Sequence, residues 1–231
     1  MQKKIKLFSE VNYVLAIIVM SFSVAMLSAA DFGLSMIVAP AYILSLKLGF
    51  ITFGQAEYIV QGVLFIIFCI CMKRFKGVYL VAFLSCLIYG ACLDLWRTLI
   101  PAFNPAVTMP GSMQLWVRIV YFVIGVLLTS FAVALSFKTY IYPQVYDYFV
   151  QGLTERYNIR LTKFKLVFDY SFLAISVALS LLFFGEFVGV NWGTLVMAIV
   201  NGFIIGGISS FYDKHFETKP IFKKFSNLFG Y

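Results

Sequence analysis

The sequence predicts an all-α membrane protein of six transmembrane helices, built as two inverted three-helix repeats that each carry a short broken or re-entrant segment with a proline. Three observations predict it: an apolar composition along the whole chain, six runs long enough to cross a bilayer, and a likeness between the two halves. Of the 231 residues, 62% are hydrophobic and 12% charged, with a mean hydropathy of +0.93. Soluble domains carry roughly 25% charged residues. So much apolar surface cannot be hidden from water in a globule of this size. That excludes a soluble enzyme, a disordered chain and a secreted disulfide scaffold, and leaves no room for a separate soluble domain.

A helix needs about 20 apolar residues to cross roughly 30 Å of hydrocarbon. The first run that qualifies is 11–30. Lys3, Lys4 and Lys6 precede it and Ser28-Ala29-Ala30 resembles a cleavage site. Its apolar run exceeds the roughly 7–15 residues of a signal core, so it is expected to stay in the mature protein. Segment 32–50 follows, apolar but interrupted by Gly33, Pro40 and Gly49. Two spans, 54–72 and 77–99, complete a first repeat over 1–112. The second repeat, 113–231, opens with a span at 115–137 and an interrupted segment at 140–157 that contains Pro143 and Gly152. Spans 166–184 and 190–212 and a basic tail, 213–231, end it.

The formal net charge of +8 reads as an orientation signal, with no nucleic-acid partner implied. With the N-terminus cytoplasmic, only Lys47, Arg97 and Arg118 of the 18 Lys and Arg fall outside. The expected location is the bacterial cytoplasmic membrane, multi-pass, with both termini in the cytoplasm. The lipid bilayer is then the main partner.

The likeness between halves is specific. Gly77-Val78 opens the third span and Gly90 follows thirteen residues on; Gly189-Val190 opens the sixth and Gly202 follows at the same distance. The same register places Glu57 on Asp169. Ser21-Phe22-Ser23-Val24-Ala25-Met26 parallels Ser130-Phe131-Ala132-Val133-Ala134-Leu135. Three spans per half is an odd number, so the second half inserts upside down relative to the first. Inverted repeats with interrupted helices are a recurring plan of transporters, because two related halves have two near-equivalent packings, one open to each side.

The proline-bearing segment, the run Gly189-Val190-x-x-Gly193-Thr194 with Gly202, and Arg118 at the start of the fourth span resemble the YczE/YyaS/YitT group of bacterial membrane proteins. The resemblance covers nearly the whole chain. It departs at Val81-Ala82, the first-half counterpart of Gly193-Thr194, and at Tyr142-Pro143-Gln144, which lacks a preceding glycine. It implies architecture and location and supplies no substrate.

Charges inside a membrane cost a few kcal/mol each, so they mark candidate sites. Glu57 and Asp169 are the matched pair for an ion or proton pathway, or else interfacial anchors. Lys165, four residues before Asp169, is then its helical partner, and Lys47 a partner for Glu57. Asp94 and Arg97 share a helix face and are expected to bridge each other, or to line an outer vestibule with Arg118. Asp147, four residues after Pro143, faces either a cavity or the cytoplasm. Pro40 and Pro143 are expected to mark broken helices that line a cavity, or else helix starts in interfacial loops. Asn201 and Thr194, seven apart, share a face and serve solute contact or interhelical hydrogen bonds, as do Gln55 and Gln61. Gly77, Gly90, Gly189, Gly193, Gly202 and Gly206 are expected to serve close helix packing, within the chain or in a homodimer.

Cys69, Cys71, Cys86 and Cys92 lie in apolar runs without CxxC spacing and read as small buried hydrophobes, and the lone His215 sits in the tail. No metal site or cofactor is expected. The absence of Walker, HExxH and GxSxG motifs points away from an enzyme. The leading functional expectation is a small-solute or ion transporter or channel. The alternatives are the substrate-binding membrane subunit of an energy-coupling vitamin transporter, or a non-transporting membrane assembly partner.

Overall fold

The computed structural model describes residues 5–73, 75, 77–141 and 144–226. The chain runs β1 (Ile5–Phe8), α1 (Ser9–Ala30), α2 (Ala39–Leu48), α3 (Phe53–Met72), α4 (Tyr79–Leu99), α5 (Leu115–Ser136), α6 (Val145–Tyr157), α7 (Leu161–Phe184), α8 (Trp192–His215), β2 (Phe216–Lys219) and α9 (Lys223–Ser226). Six of these, α1, α3, α4, α5, α7 and α8, are long and apolar enough to cross a membrane. The fold is all-α, the architecture of a multi-pass membrane protein.

Local chemistry sets the helix ends. Thr52 caps α3 through Gln55, whose amide oxygen in turn accepts the Thr52 N–H at 3.0 Å. Asn191 and Thr194 form the same box at the start of α8. Gly49 and Gly185 end α2 and α7 at φ of 67° and 73°, left-handed backbone that glycine adopts without a Cβ penalty.

The two interrupted segments hold continuous short helices. Pro40 lies in the first turn of α2, where its missing N–H would have had no intrahelical partner. The expected broken helix at Pro40 is therefore a helix start. Pro143 lies outside the described residues.

Small residues bring the helices close. α1 is the most buried span and makes its broadest contact with α5. There Thr129 Oγ1 donates to Ser23 Oγ at 2.9 Å, and a Cβ on Gly125 would stand 2.7 Å from Leu27 Cγ. At the α3–α4 crossing, a Cβ on Gly54 would collide with the Gly90 carbonyl. Packing partners recur between the halves. α1 lies on α4 and α5 on α8; α2 lies on α3 and α6 on α7. The short helices then reach across, α2 to α7 and α6 to α3. One difference stands out: α3 packs firmly on α4, while α7 and α8 make no comparable contact among the described residues.

Each end of α1 is tied down. Arg118 of α5 donates from Nε to the Ala30 carbonyl at 2.8 Å and from a terminal nitrogen to the Asp31 carbonyl at 2.9 Å, a cation on a helix C-terminus. Its guanidinium also lies 4.6 Å from the Phe32 ring centre. The connector then joins α8, Gly193 donating to the Phe32 carbonyl at 2.7 Å and Leu34 to the Gly189 carbonyl at 3.0 Å. At the other end, β1 and β2 pair in parallel, which brings residues 5–8 beside residues 216–219. The Glu10 carboxylate accepts the Tyr140 hydroxyl at 2.6 Å and the Ile221 and Phe222 N–H groups at 2.9 and 3.1 Å. Asn12 adds a bond of 2.6 Å to the Tyr212 hydroxyl.

Candidate functional site: a buried carboxyl between two halves

Glu57 sits in the second turn of α3, fully buried. Four residues on, Gln61 shares its helix face, and its Nε2 donates to Glu57 Oε2 at 2.9 Å. The first turn of α6 meets both residues. Val145 N–H donates to Gln61 Oε1 at 3.1 Å, and Tyr146 Oη donates to Glu57 Oε2 at 3.1 Å. From α4, the Cys86 thiol approaches the Glu57 carbonyl at 3.9 Å, and Tyr89 follows one turn later, fully buried. Glu57 Oε1 and the Tyr89 hydroxyl have no hydrogen-bond partner among the described residues. No Lys, Arg or His pairs with Glu57 among them either.

The surroundings are aromatic. Phe53, one turn before Glu57, is fully buried against Tyr42 with ring centres 5.1 Å apart. Tyr146 meets Phe172 of α7 edge-on at 5.6 Å. The carboxyl thus lies where helices of both halves converge, in a place where an unpaired polar atom costs on the order of a few kcal/mol.

The other sequence candidates are placed elsewhere. Asp169 pairs with Lys165 at 3.0 Å and is partly exposed. α7 is a turn longer than α3, 24 residues against 20. Counted from the helix caps Thr52 and Arg160, Glu57 therefore corresponds to Lys165, and Gln61 to Asp169. Asp169 does not repeat the Glu57 environment. Lys47 reaches the Phe183 carbonyl at 3.3 Å instead of Glu57.

Asp94 and Arg97 form no ion pair with each other among the described residues. The Asp94 carboxylate accepts the Gly54 N–H at 2.8 Å and the Thr52 hydroxyl, so it neutralises the positive end of α3. Arg97 stacks over Phe53 at 5.3 Å, with its buried Nε unbonded among the described residues. Asp147 is partly buried in the first turn of α6. Burial pushes its carboxyl above the usual carboxylate range, Lys165 pulls it down and Asp169 adds to the rise.

Asn201 accepts a bond from Ser130 at 3.3 Å, the interhelical use, and Thr194 is committed to the cap of α8. Of the packing glycines, Gly90, Gly189 and Gly193 each stand where a Cβ would crowd a neighbour. Gly77, Gly202 and Gly206 do not: a Cβ on any of them would meet open space. Gly202 and Gly206 lie with Ala198 and Ser210 along one exposed stripe of α8.

Tyr146 and Tyr89 escape a sequence reading because tyrosine is common in both interface belts and apolar cores. The available signal is the four-residue step from Glu57 to Gln61, two polar side chains on one face of an apolar helix. The described residues contain no group of three or more His, Cys, Asp or Glu able to hold a metal ion.

A family model matches residues 7–210, from the end of β1 through most of α8. The chain belongs to DUF6198, a family of unknown function. No curated protein and no solved structure matches it. The DUF6198 range includes Glu57, Gln61, Cys86, Tyr89 and Tyr146, and ends before the Ile221 and Phe222 donors that close on Glu10.

Proposed function

We propose that this DUF6198 protein is a small-solute or ion transporter of the bacterial cytoplasmic membrane, and that it moves its cargo without altering it chemically. Two inverted repeats, 1–112 and 113–231, exchange between a packing open to the cytoplasm and one open to the outside, with both termini in the cytoplasm. The observation that carries this reading is the Glu57 network, a buried carboxyl shared by α3 of one half and α6 of the other. A carboxyl at such a junction is costly to bury and marks an ion or solute pathway.

The reciprocal reach of α2 to α7 and α6 to α3 supports the exchange, since both crossings give up their contacts together when the halves rock. The resemblance to the YczE/YyaS/YitT group favours the same architecture. The exposed small-residue stripe on α8 favours two copies pairing as the working unit.

Thiol labelling tests the exchange without knowledge of the cargo. Single cysteines replace Ala41 of α2 and Val150 of α6, both buried here, in a chain without the four native cysteines. Oriented vesicles are treated with a membrane-impermeant maleimide. A transporter shows each position reacting from at least one side. If neither reacts, while a cysteine at exposed Phe50 does, the halves do not exchange.

A further inference from the structure

We propose that the ion exchanged at Glu57 is a proton, and that Glu57 holds it as a neutral carboxylic acid in the packing described. The inference rests on the transport reading and adds the identity of the ion.

The direction of each hydrogen bond carries it. Gln61 is oriented by α6: the Val145 N–H needs an acceptor, so Gln61 Oε1 faces Val145 and Nε2 faces Glu57. Tyr146 reaches the same carboxyl oxygen. Glu57 Oε2 therefore receives two hydrogens, as the carbonyl oxygen of an acid does with its two lone pairs. Oε1 receives none from the described residues, as the hydroxyl oxygen of an acid does. The two halves of the carboxyl are used differently, in the pattern of C=O and O–H.

A metal cation fits this shell poorly. Hard cations take about six oxygen ligands. Here Gln61 turns its N–H toward the carboxyl and its oxygen away, and Tyr146 presents a hydrogen. Among the described residues, the titratable groups that interact with Glu57 are Tyr146 of α6 and Cys86 and Tyr89 of α4, none of them basic. Arg97 of α4 lies over the Phe53 ring at 5.3 Å and forms no ion pair with Glu57 among the described residues.

Release breaks the O–H bond at Oε1, leaves the electron pair on the carboxylate and passes the proton to water entering on one side. The carboxylate then accepts charge-assisted bonds from Tyr146 and Gln61, which are stronger than bonds to a neutral acid. Proton loss thus tightens α6 on α3, and proton uptake loosens it. The ion and the helix contact are coupled through one oxygen.

Infrared difference spectroscopy on the purified full chain in lipid nanodiscs tests this. At neutral pH the wild type shows a carboxylic-acid C=O band that shifts in D2O, is lost in Glu57→Gln, and is retained at a moved frequency in Glu57→Asp. The band is the same in sodium, potassium and choline chloride. Absence of a Glu57-dependent acid band at neutral pH, or its disappearance on adding sodium or potassium, overturns the proton assignment. Labelling of the Ala41 and Val150 cysteines answers separately whether the halves exchange. Exchange without an acid band leaves a transporter with another ion; an acid band without exchange leaves a buried acid in a static bundle.

Discussion

Tyr146 donates its hydroxyl hydrogen to Glu57 Oε2 at 3.1 Å, joining α6 to α3 across the middle of the chain's two halves. The bond has a backbone companion one residue earlier, from Val145 N–H to Gln61 Oε1. α6 is therefore fastened to α3 at its first turn, and the last acceptor in both chains of bonds is the carboxyl of Glu57.

Tyr146→Phe removes that bond and keeps the ring against Phe172. The expected cost is about 1 kcal/mol of stability, the ordinary net worth of one buried hydrogen bond. Amide hydrogen exchange in α6 accelerates while that in α1 is unchanged. Unaltered exchange in α6 shows that the hydroxyl does not hold the helix.

Glycines at close crossings and glycines on the outer stripe respond oppositely to a methyl group. Gly54→Ala and Gly90→Ala press a Cβ into the facing helix and destabilise by roughly 1–3 kcal/mol, as overpacking does. Gly202→Ala and Gly206→Ala meet open space and change monomer stability by less than about 0.5 kcal/mol. Thermal unfolding of the four variants in detergent separates the groups, and equal losses in all four contradict the packing described.

Glu10→Ala frees the C-terminal tail. The carboxylate is the acceptor for both Ile221 and Phe222 N–H groups and for Tyr140, whose phenol burial and Glu10 push up and so keep as a donor. Trypsin cuts after Lys223 severalfold faster in the variant than in the wild type; Lys219 is shielded by the following Pro220. An unchanged digestion rate argues against the clasp.

Asp147→Asn tests the electrostatics at the start of α6. The raised carboxyl binds its proton more readily in the folded chain than in the unfolded one. Its contribution to stability is therefore greatest in acid and is lost as pH rises through the ordinary carboxylate range toward the raised folded value. The variant melts at a higher temperature than the wild type near neutral pH, and the two converge as the pH falls below the usual aspartate range. A variant that melts lower at neutral pH reverses the sign.

Much of the architecture is written in hydropathy. The expected span 54–72 appears as Phe53–Met72 and 115–137 as Leu115–Ser136, because runs of this length have few alternatives in lipid. α7 starts five residues earlier than expected, at Leu161, since Lys163 and Lys165 break the apolar run without breaking the helix. Pro40 misleads because proline reads the same in a break and in a first turn.

The site is less legible. Glu57 is conspicuous as a charge in an apolar run, and so is Asp169, yet a single extra turn in α7 gives them different neighbours. Asp94 and Arg97 look like a pair by spacing, but the open N–H groups at the start of α3 compete for the carboxylate and take it. Tyr146 lies 89 residues from Glu57, and no local pattern links residues so far apart.

Proton entry into proteoliposomes that hold the purified chain and an enclosed pH-sensitive dye measures the use of Glu57 most directly. Under an inside-negative potassium diffusion potential, the wild type acidifies the lumen faster than protein-free liposomes, and Glu57→Gln falls to the protein-free rate. Equal acidification by wild type and Glu57→Gln contradicts the account, because the proton then crosses, or fails to cross, without that carboxyl.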